Sequence, residues 1–552
     1  MNTFQISGNL VDILQQEIYP ATLHIENGTI QKIERNNGKY PNYLLPGFTD
    51  AHVHIESAML IPSEFARLAV VHGTVATVSD PHEIANVMGV KGVEYMLENS
   101  RKVPFRFNFG APSCVPATVF ETAGATITVA DIEALLQRDD IRYLTEMMNF
   151  PGVLHKDPEV LAKITAAKKA GKPVDGHAPG LRGEEAREYI AAGISTDHEC
   201  FTIEEALDKL RYGMHILIRE GSAAKNFDAL YPLLRDHPEK IMFCSDDKHP
   251  DNLEEGHINL LVKRALAHGI DLFKVLRAAC INPVLHYKLD NGLLRENDPA
   301  DFIVVDDLQN FNILATYIAG QKVAEHGRTL IDSIPSIPVN NFVCNPVKAT
   351  DFRISVSESN AHSLLVKVIE ALDGQLITNA LSAVLPVEKG LLHSDPGQDI
   401  LKMAVVNRYR EAPPAVAFIK GFGLQQGAIA SSVAHDSHNI IAVGTDDESL
   451  AAAINAVIAE QGGISVAGGN TLQVLPLPVA GLMSNLDGYT VAAQYSSLDK
   501  AAKRLGSTLA SPFMTLSFMA LLVIPHLKLS DLGLFDGDGF RLMTNGWSTV
   551  PR

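Results

Sequence analysis

PGFTDAHVHIES, residues 46–57, carries two histidines at i and i+2 inside an apolar run. On a β-strand successive side chains point to opposite faces, so His52 and His54 share one face. If that strand lines a barrel, the shared face is interior, and two imidazoles there can grip one cation.

Working outward from this strand, short apolar runs end near His54, Asp80, Gly110, Glu146, His177, His198, Ile218 and Asp246. The steps between them run from 20 to 36 residues, each long enough for one helix and its loops. The intervening stretches SEFARLAVVHG, EVLAKITAAKKAG, EEAREYIAAG and INLLVKRALAHG are apolar at helical spacing and closed by glycine. Eight such strands with room for a helix between each and the next predict an α/β fold, a (β/α)8 TIM-like metallo-barrel over residues 45–300. An open doubly wound sheet is the rival. The polar strand ends favour the barrel, whose catalytic face is where the C-terminal strand ends converge.

Four further strands end in ligand types: Glu146 in IRYLTEMM, His177 in KPVDGH, His198 in ISTDH and Asp246 in IMFCSD. Six potential ligands from five strands, four histidines and two carboxylates, can hold two divalent metals with one carboxylate bridging. The N/O donor set suits Mn, Fe or Zn.

The flanks read differently. Residues 1–44 hold two alternating runs around Asn27-Gly28, a hairpin signal. Residues 301–335 return to short strands and are expected to pair with the first segment as a small β domain. Pro335, Pro338 and Pro346 mark a linker. Residues 340–552 mix strands such as IIAVGTD with helices such as DDESLAAAINAVIAEQGG, predicting a separate C-terminal α+β domain.

At 552 residues the chain exceeds what one hydrophobic core organises. With 46 basic against 64 acidic residues, net −18, it lacks the basic footprint that a nucleic acid requires. Its five cysteines form no Cys-x-x-Cys pair, and the odd count argues for reduced, buried thiols in a cytoplasmic protein. Residues 1–14 lack a signal-peptide pattern. Leu505 to Pro525 is 21 residues without a charge, long enough for a membrane span. Gly506, Pro512 and several serines interrupt it, so a buried helix of a soluble domain is expected and no membrane.

The arrangement resembles the amidohydrolase superfamily and, within it, the adenine deaminase family. PGFTDAHVHIESAML, SDPHEIANVMG, EMMNFPGV, DGHAPG, STDHE and CSDDKHP carry the resemblance in the barrel. SVAHDSHNIIAVG and PFMTLSFMALLVIPHLKL carry it into the C-terminal region. It implies that His52, His54 and Asp246 bind one metal, that His177 and His198 bind a second, and that Glu146 bridges them. It favours Mn or Fe over Zn. The implied reaction is hydrolytic deamination of adenine, a step of purine salvage. A metal-activated hydroxide attacks C6, a carboxylate moves the proton, and hypoxanthine and ammonia leave. Opening of a cyclic amide, dihydropyrimidine- or imidazolone-like, would use the same ligands and is the alternative; a non-catalytic barrel would have lost ligands. The expected partner is a small-molecule purine, and the expected assembly a homo-oligomer, a dimer.

In the mononuclear purine deaminases of the superfamily a glutamate follows the strand-5 histidine by three residues as proton shuttle. Gly180 stands at that position here. Asp246 and Glu146 are the candidates to replace it, with His82, Glu83 and Glu199 behind them. In SDPHEIANVMG, His82 and Glu83 also suit a plain helix start with Asp80 as N-cap and Pro81 first. His24 and His286 read as hydrogen-bonded core histidines. HPDNLEEGH reads as a solvated loop from which His249 could face the pocket. AHDSHN places His435, Asp436 and His438 within four positions. A surface loop, a separate metal site, and a loop closing over the barrel mouth to position the purine remain open for it.

Overall fold

The computed structural model describes residues 3–356, 362–469, 471–543 and 546–549. Eight parallel strands follow the spacing read from the sequence: β1 (Phe48–Val53), β2 (Thr74–Ser79), β3 (Arg106–Ala111), β4 (Ile141–Met147), β5 (Val174–Gly176), β6 (Thr196–Asp197), β7 (His215–Arg219) and β8 (Ile241–Cys244). β1 to β5 pair in order in one sheet, and β6 to β8 in a second. Two junctions close the ring. The Ser195 N–H donates to the Val174 carbonyl at 2.9 Å, joining β6 to β5. The Asp246 N–H donates to the His52 carbonyl at 2.9 Å, joining β8 to β1. The molecule is therefore a (β/α)8 barrel. β1 and β2 are buried at every position, as strands covered on both faces must be.

The helices between the strands begin and end on local signals. Asp157 caps Pro158–Lys169 by accepting the Glu159 and Val160 N–H groups, Pro158 occupies the first turn, and Lys168 and Lys169 face the negative end. After β2 the helix is His82–Met88, one residue later than the sequence suggests: Asp80 still accepts the His82 N–H at 3.0 Å, but Pro81 takes the capping position.

Strands Thr3–Asp12, Glu17–Glu26, Thr29–Arg35 and Tyr43–Pro46 share one eight-stranded sheet with Phe302–Val305, Ile313–Ile318, Gln321–Glu325 and Arg328–Thr329. The hairpin turn places Asn27 at φ 52° and Gly28 at φ 80°, the left-handed pair that a tight turn demands. His24 sits on this sheet, partly exposed and paired with Glu34 at 3.0 Å, not in a core. His286 is also only half-buried, against the Ser195 hydroxyl.

Residues 332–348 have no helix or strand. The C-terminal region is α+β, built on a mixed sheet whose strands include Leu401–Val406, Ala415–Lys420, Ala428–Ser431, Ile440–Gly444 and Gly463–Gly468. Alternation along Leu401–Val406 shows how it docks. Leu401, Met403 and Val405 join the apolar cluster of the barrel, while Ala404 and Val406 pack under the helix Asp447–Ala459. One sheet face thus merges with the barrel core.

The uncharged stretch from Leu505 forms no single helix. Gly506, at φ 117°, and Pro512 break it into coil, a short helix Pro512–Ser517 and a turn Phe518–Ala520. Among the described residues no helix is long and apolar enough to cross a membrane.

Candidate metal centre

β1 presents Asp50, His52 and His54 on one face. Asp50 accepts the Ser245 N–H at 3.0 Å, the Ser245 hydroxyl at 2.5 Å and a contact from His257 Nε2 at 2.7 Å. This carboxylate locks β1 to β8 beneath the two histidines. Gly176 ends β5 where a Cβ would collide with the Thr196 carbonyl, so only glycine lets β5 approach β6 and aim His177 inward. Asp246 follows β8 at φ 54°, a left-handed conformation unusual for a side-chain-bearing residue, held by its N–H bond to His52.

The six predicted ligands meet. His52 Nε2 and His54 Nε2 lie 3.1 Å apart, and Asp246 Oδ1 is 3.6 Å from the first and 3.3 Å from the second. Glu146 divides its oxygens. Oε1 lies 3.4 Å from His54 Nε2, while Oε2 lies 2.8 Å from His177 Nδ1 and 3.1 Å from His198 Nε2. The rings of His52 and His198 stack at 4.1 Å. All six side chains are buried.

Electrostatics make this a cation site. Burial works against ionising Glu146, yet His177 and His198 hold it well below the usual carboxylate range. Burial likewise opposes Asp246, and the Arg219 guanidinium and His54 outweigh it, again pulling it well down. Burial drives His52 well below its ordinary value, with His198 and His54 adding to the effect, so its imidazole keeps a free lone pair. Two imidazole nitrogens facing each other beside a carboxylate oxygen fit a divalent cation between them. His54, Asp80, His82 and Glu146 form a further group at ligand spacing, as do His177, His198 and Glu199.

His82, Glu83, Glu199 and His435 also line this cavity, whose volume of about 20 Å³ is roughly that of one water; His438 is joined to it only through Glu83. His82 lies 3.1 Å from Asp80 and 3.6 Å from Glu146. Glu199 is clamped by both Arg219 Nη atoms, and burial is outweighed by Arg219 and His177, taking it down to about 2. Glu83 bonds His435 Nδ1 with one oxygen and His438 Nε2 with the other. AHDSHN is therefore no surface loop: His435 and His438 are buried at 3% and 0% exposure, and His435 and Asp436 line the cavity. His435 stacks on Phe518 at 5.1 Å. His249 does not face the cavity; it is buried against the Tyr495 ring, and a helix, Pro250–Glu255, replaces the expected solvated loop.

Three charged residues of the cavity escaped the sequence reading of the site: Arg219, Asp247 and, though quoted, Asp436. Arg219 ends β7 and contacts Asp246 Oδ2 as well as Glu199. Its signal was available, because a charge closing the apolar strand HILIR needs a buried partner.

Residues 43–323 match the amidohydrolase family, and residues 375–541 match the adenine deaminase C-terminal domain. An adenine deaminase of Salinibacter ruber is 58% identical over 543 residues, covering 98% of both chains. Those of Sulfurovum sp. and Methanosarcina barkeri are 56% and 53% identical, each match covering 98% of this chain and 99% of the relative. The chain belongs to the adenine deaminase family of amidohydrolases. Membership in that family extends past the barrel, because the matched C-terminal domain is the one that supplies His435, Asp436 and Phe518 to the cavity.

Proposed function

We propose that this protein hydrolyses adenine to hypoxanthine and ammonia at a centre of two divalent metals. Mn or Fe is the favoured pair, and Zn fits the same donors. His52, His54 and Asp246 would hold one ion, His177 and His198 the other, with Glu146 shared. The observation that carries the reading is the division of Glu146, one oxygen toward His54 and the other toward His177 and His198, in a chain similar to adenine deaminases from end to end.

Bound divalent metal supplies a water acidic enough to act as nucleophile at neutral pH. The chain's own groups do the rest. Asp246 accepts one proton of the attacking water and delivers it to the ring nitrogen beside C6; it then takes the remaining proton from the new C6 hydroxyl and delivers it to the amine, which departs as ammonia. Arg219 holds Asp246 Oδ2, which leaves Oδ1 facing the histidines. Glu199, fixed by the same guanidinium, puts Oε1 3.5 and 3.3 Å from the very His177 and His198 nitrogens that face Glu146, so its charge would border the second ion. The His435 and His438 segment, with Phe518 and Leu521, covers the mouth and excludes bulk water.

The enzyme is read as cytoplasmic, in keeping with four buried free cysteines, and as a homodimer, which light scattering would test. The deciding assay supplies Mn-loaded protein with a panel of purines and cyclic amides and follows ammonia. Adenine should be consumed with loss of its absorbance. Opening of a dihydropyrimidine or imidazolone with adenine untouched would overturn the assignment.

A further inference from the structure

Asp436 comes from the C-terminal domain, is 3% exposed and lines the metal cavity. Its Oδ1 lies 3.5 Å from His82 Nε2. Its Oδ2 is buried with no hydrogen-bond partner. A carboxylate oxygen left in that state is costly, and such a group calls for a partner that arrives with a ligand. His82 links this carboxylate to the centre, because its other nitrogen is 3.6 Å from Glu146 Oε1. One imidazole ring therefore separates Asp436 from the carboxylate shared by the two proposed ions. Met148, Leu376, Phe518 and Leu521 supply apolar surface to the same cavity, which at about 20 Å³ must widen to take the faces of a planar ring between them.

A free purine base has matching chemistry. The carbon bearing the amino group lies at one end of its fused rings. At the other end the five-membered ring carries an N–H, at the nitrogen that bears the sugar in a nucleoside. We propose that Asp436 determines substrate specificity: its Oδ2 accepts a hydrogen bond from the five-membered-ring N–H of the free base while the amino-bearing carbon lies at Glu146 and Asp246. The proposal rests on the deaminase reading and adds the selection of free bases over N9-substituted purines. A site built around a substrate N–H rejects an analogue lacking it by about 10⁴-fold.

The test uses the full-length, Mn-loaded enzyme with adenine and 9-methyladenine. Wild type should favour adenine by about 10³-fold or more in kcat/KM. Asp436→Ala should raise KM for adenine about 10–100-fold, the loss expected for a hydrogen bond to a charged group, with kcat and metal content little changed. It should also narrow the preference for adenine at least tenfold, because the carboxylate that demanded the N–H is gone. Asp436→Asn keeps a neutral acceptor and should fall between; it decides the matter by the same two readouts if the alanine variant does not fold. Equal use of both substrates by wild type would overturn the proposal. So would unchanged KM and preference in the variants, or parallel loss of metal and turnover on both substrates. Wild type inactive on adenine altogether would mark failure of the deaminase reading itself.

Discussion

Glu146 and Arg219 bind the site together from opposite sides. Glu146 spans the two halves of the histidine set, so replacing it with a neutral amide removes the charge that both proposed cations share. Glu146→Gln should lose the more weakly held metal on dialysis, read by elemental analysis, and Asp246→Asn should lose nearly all turnover. Wild-type metal content and activity in Glu146→Gln would exclude the shared position. Arg219 is wholly buried and is the guanidinium facing Glu199 and Asp246. Arg219→Met strands two buried carboxylates, and removing one member of such a group costs about 3–5 kcal/mol. A marked fall in the unfolding temperature of metal-free protein is expected, partly offset when metals are added, because the cations compensate the stranded charge. A melt unchanged from wild type would show that the guanidinium holds nothing.

At the scale of elements, the segment around His435 and the stretch from Pro512 to Lys528 form the roof of the site. Glu83, on the helix after β2, takes one histidine on each oxygen, and the two contacts fasten the roof to the barrel. His435→Ala and His438→Ala should each lower kcat/KM about tenfold or more while two metals stay bound, since gating and water exclusion suffer but the ligands do not. Wild-type kinetics in both would reduce the segment to a structural role. Lys528 pins the roof from behind, donating to the Leu376 carbonyl at 2.6 Å and the Phe518 carbonyl at 3.0 Å. Burial lowers its ammonium to about 7. From about 7 up to the ordinary lysine value the unfolded chain holds a proton that the folded chain has released, so this group makes stability rise with pH in that window. Relative to Lys528→Met, wild type should gain up to about 1.4 kcal/mol per pH unit there, measured by urea unfolding. Parallel profiles would show that Lys528 keeps its proton in the fold.

For the whole molecule, the inner face of the C-terminal sheet lies in the same apolar cluster as the barrel. Cutting the chain at Pro338 would strip cover from that cluster and from the metal cavity together. The truncated barrel should be insoluble or molten, detected by loss of near-UV circular dichroism and by dye binding, rather than an independent metal-binding domain. A soluble, cooperatively folding barrel would contradict this. The barrel order and the six side chains that meet in it were legible in the sequence, because each is a local event: an apolar run of strand length, a ligand type at its end, a helix of known spacing before the next. The breaks in the uncharged stretch were legible too, from Gly506 and Pro512. The rest came only with the tertiary structure. Glu83 and His435 are 352 residues apart, and nothing near either announces the other. Arg219 was visible as a charge on an apolar strand, but its partners were not. Asp436 sat in a quoted motif, yet that it lines the cavity with one oxygen buried and unpaired depends on how a C-terminal segment packs on the barrel. Strand periodicity and strand-end chemistry are encoded within a few residues, whereas the pairing of buried charges is settled by packing between distant segments.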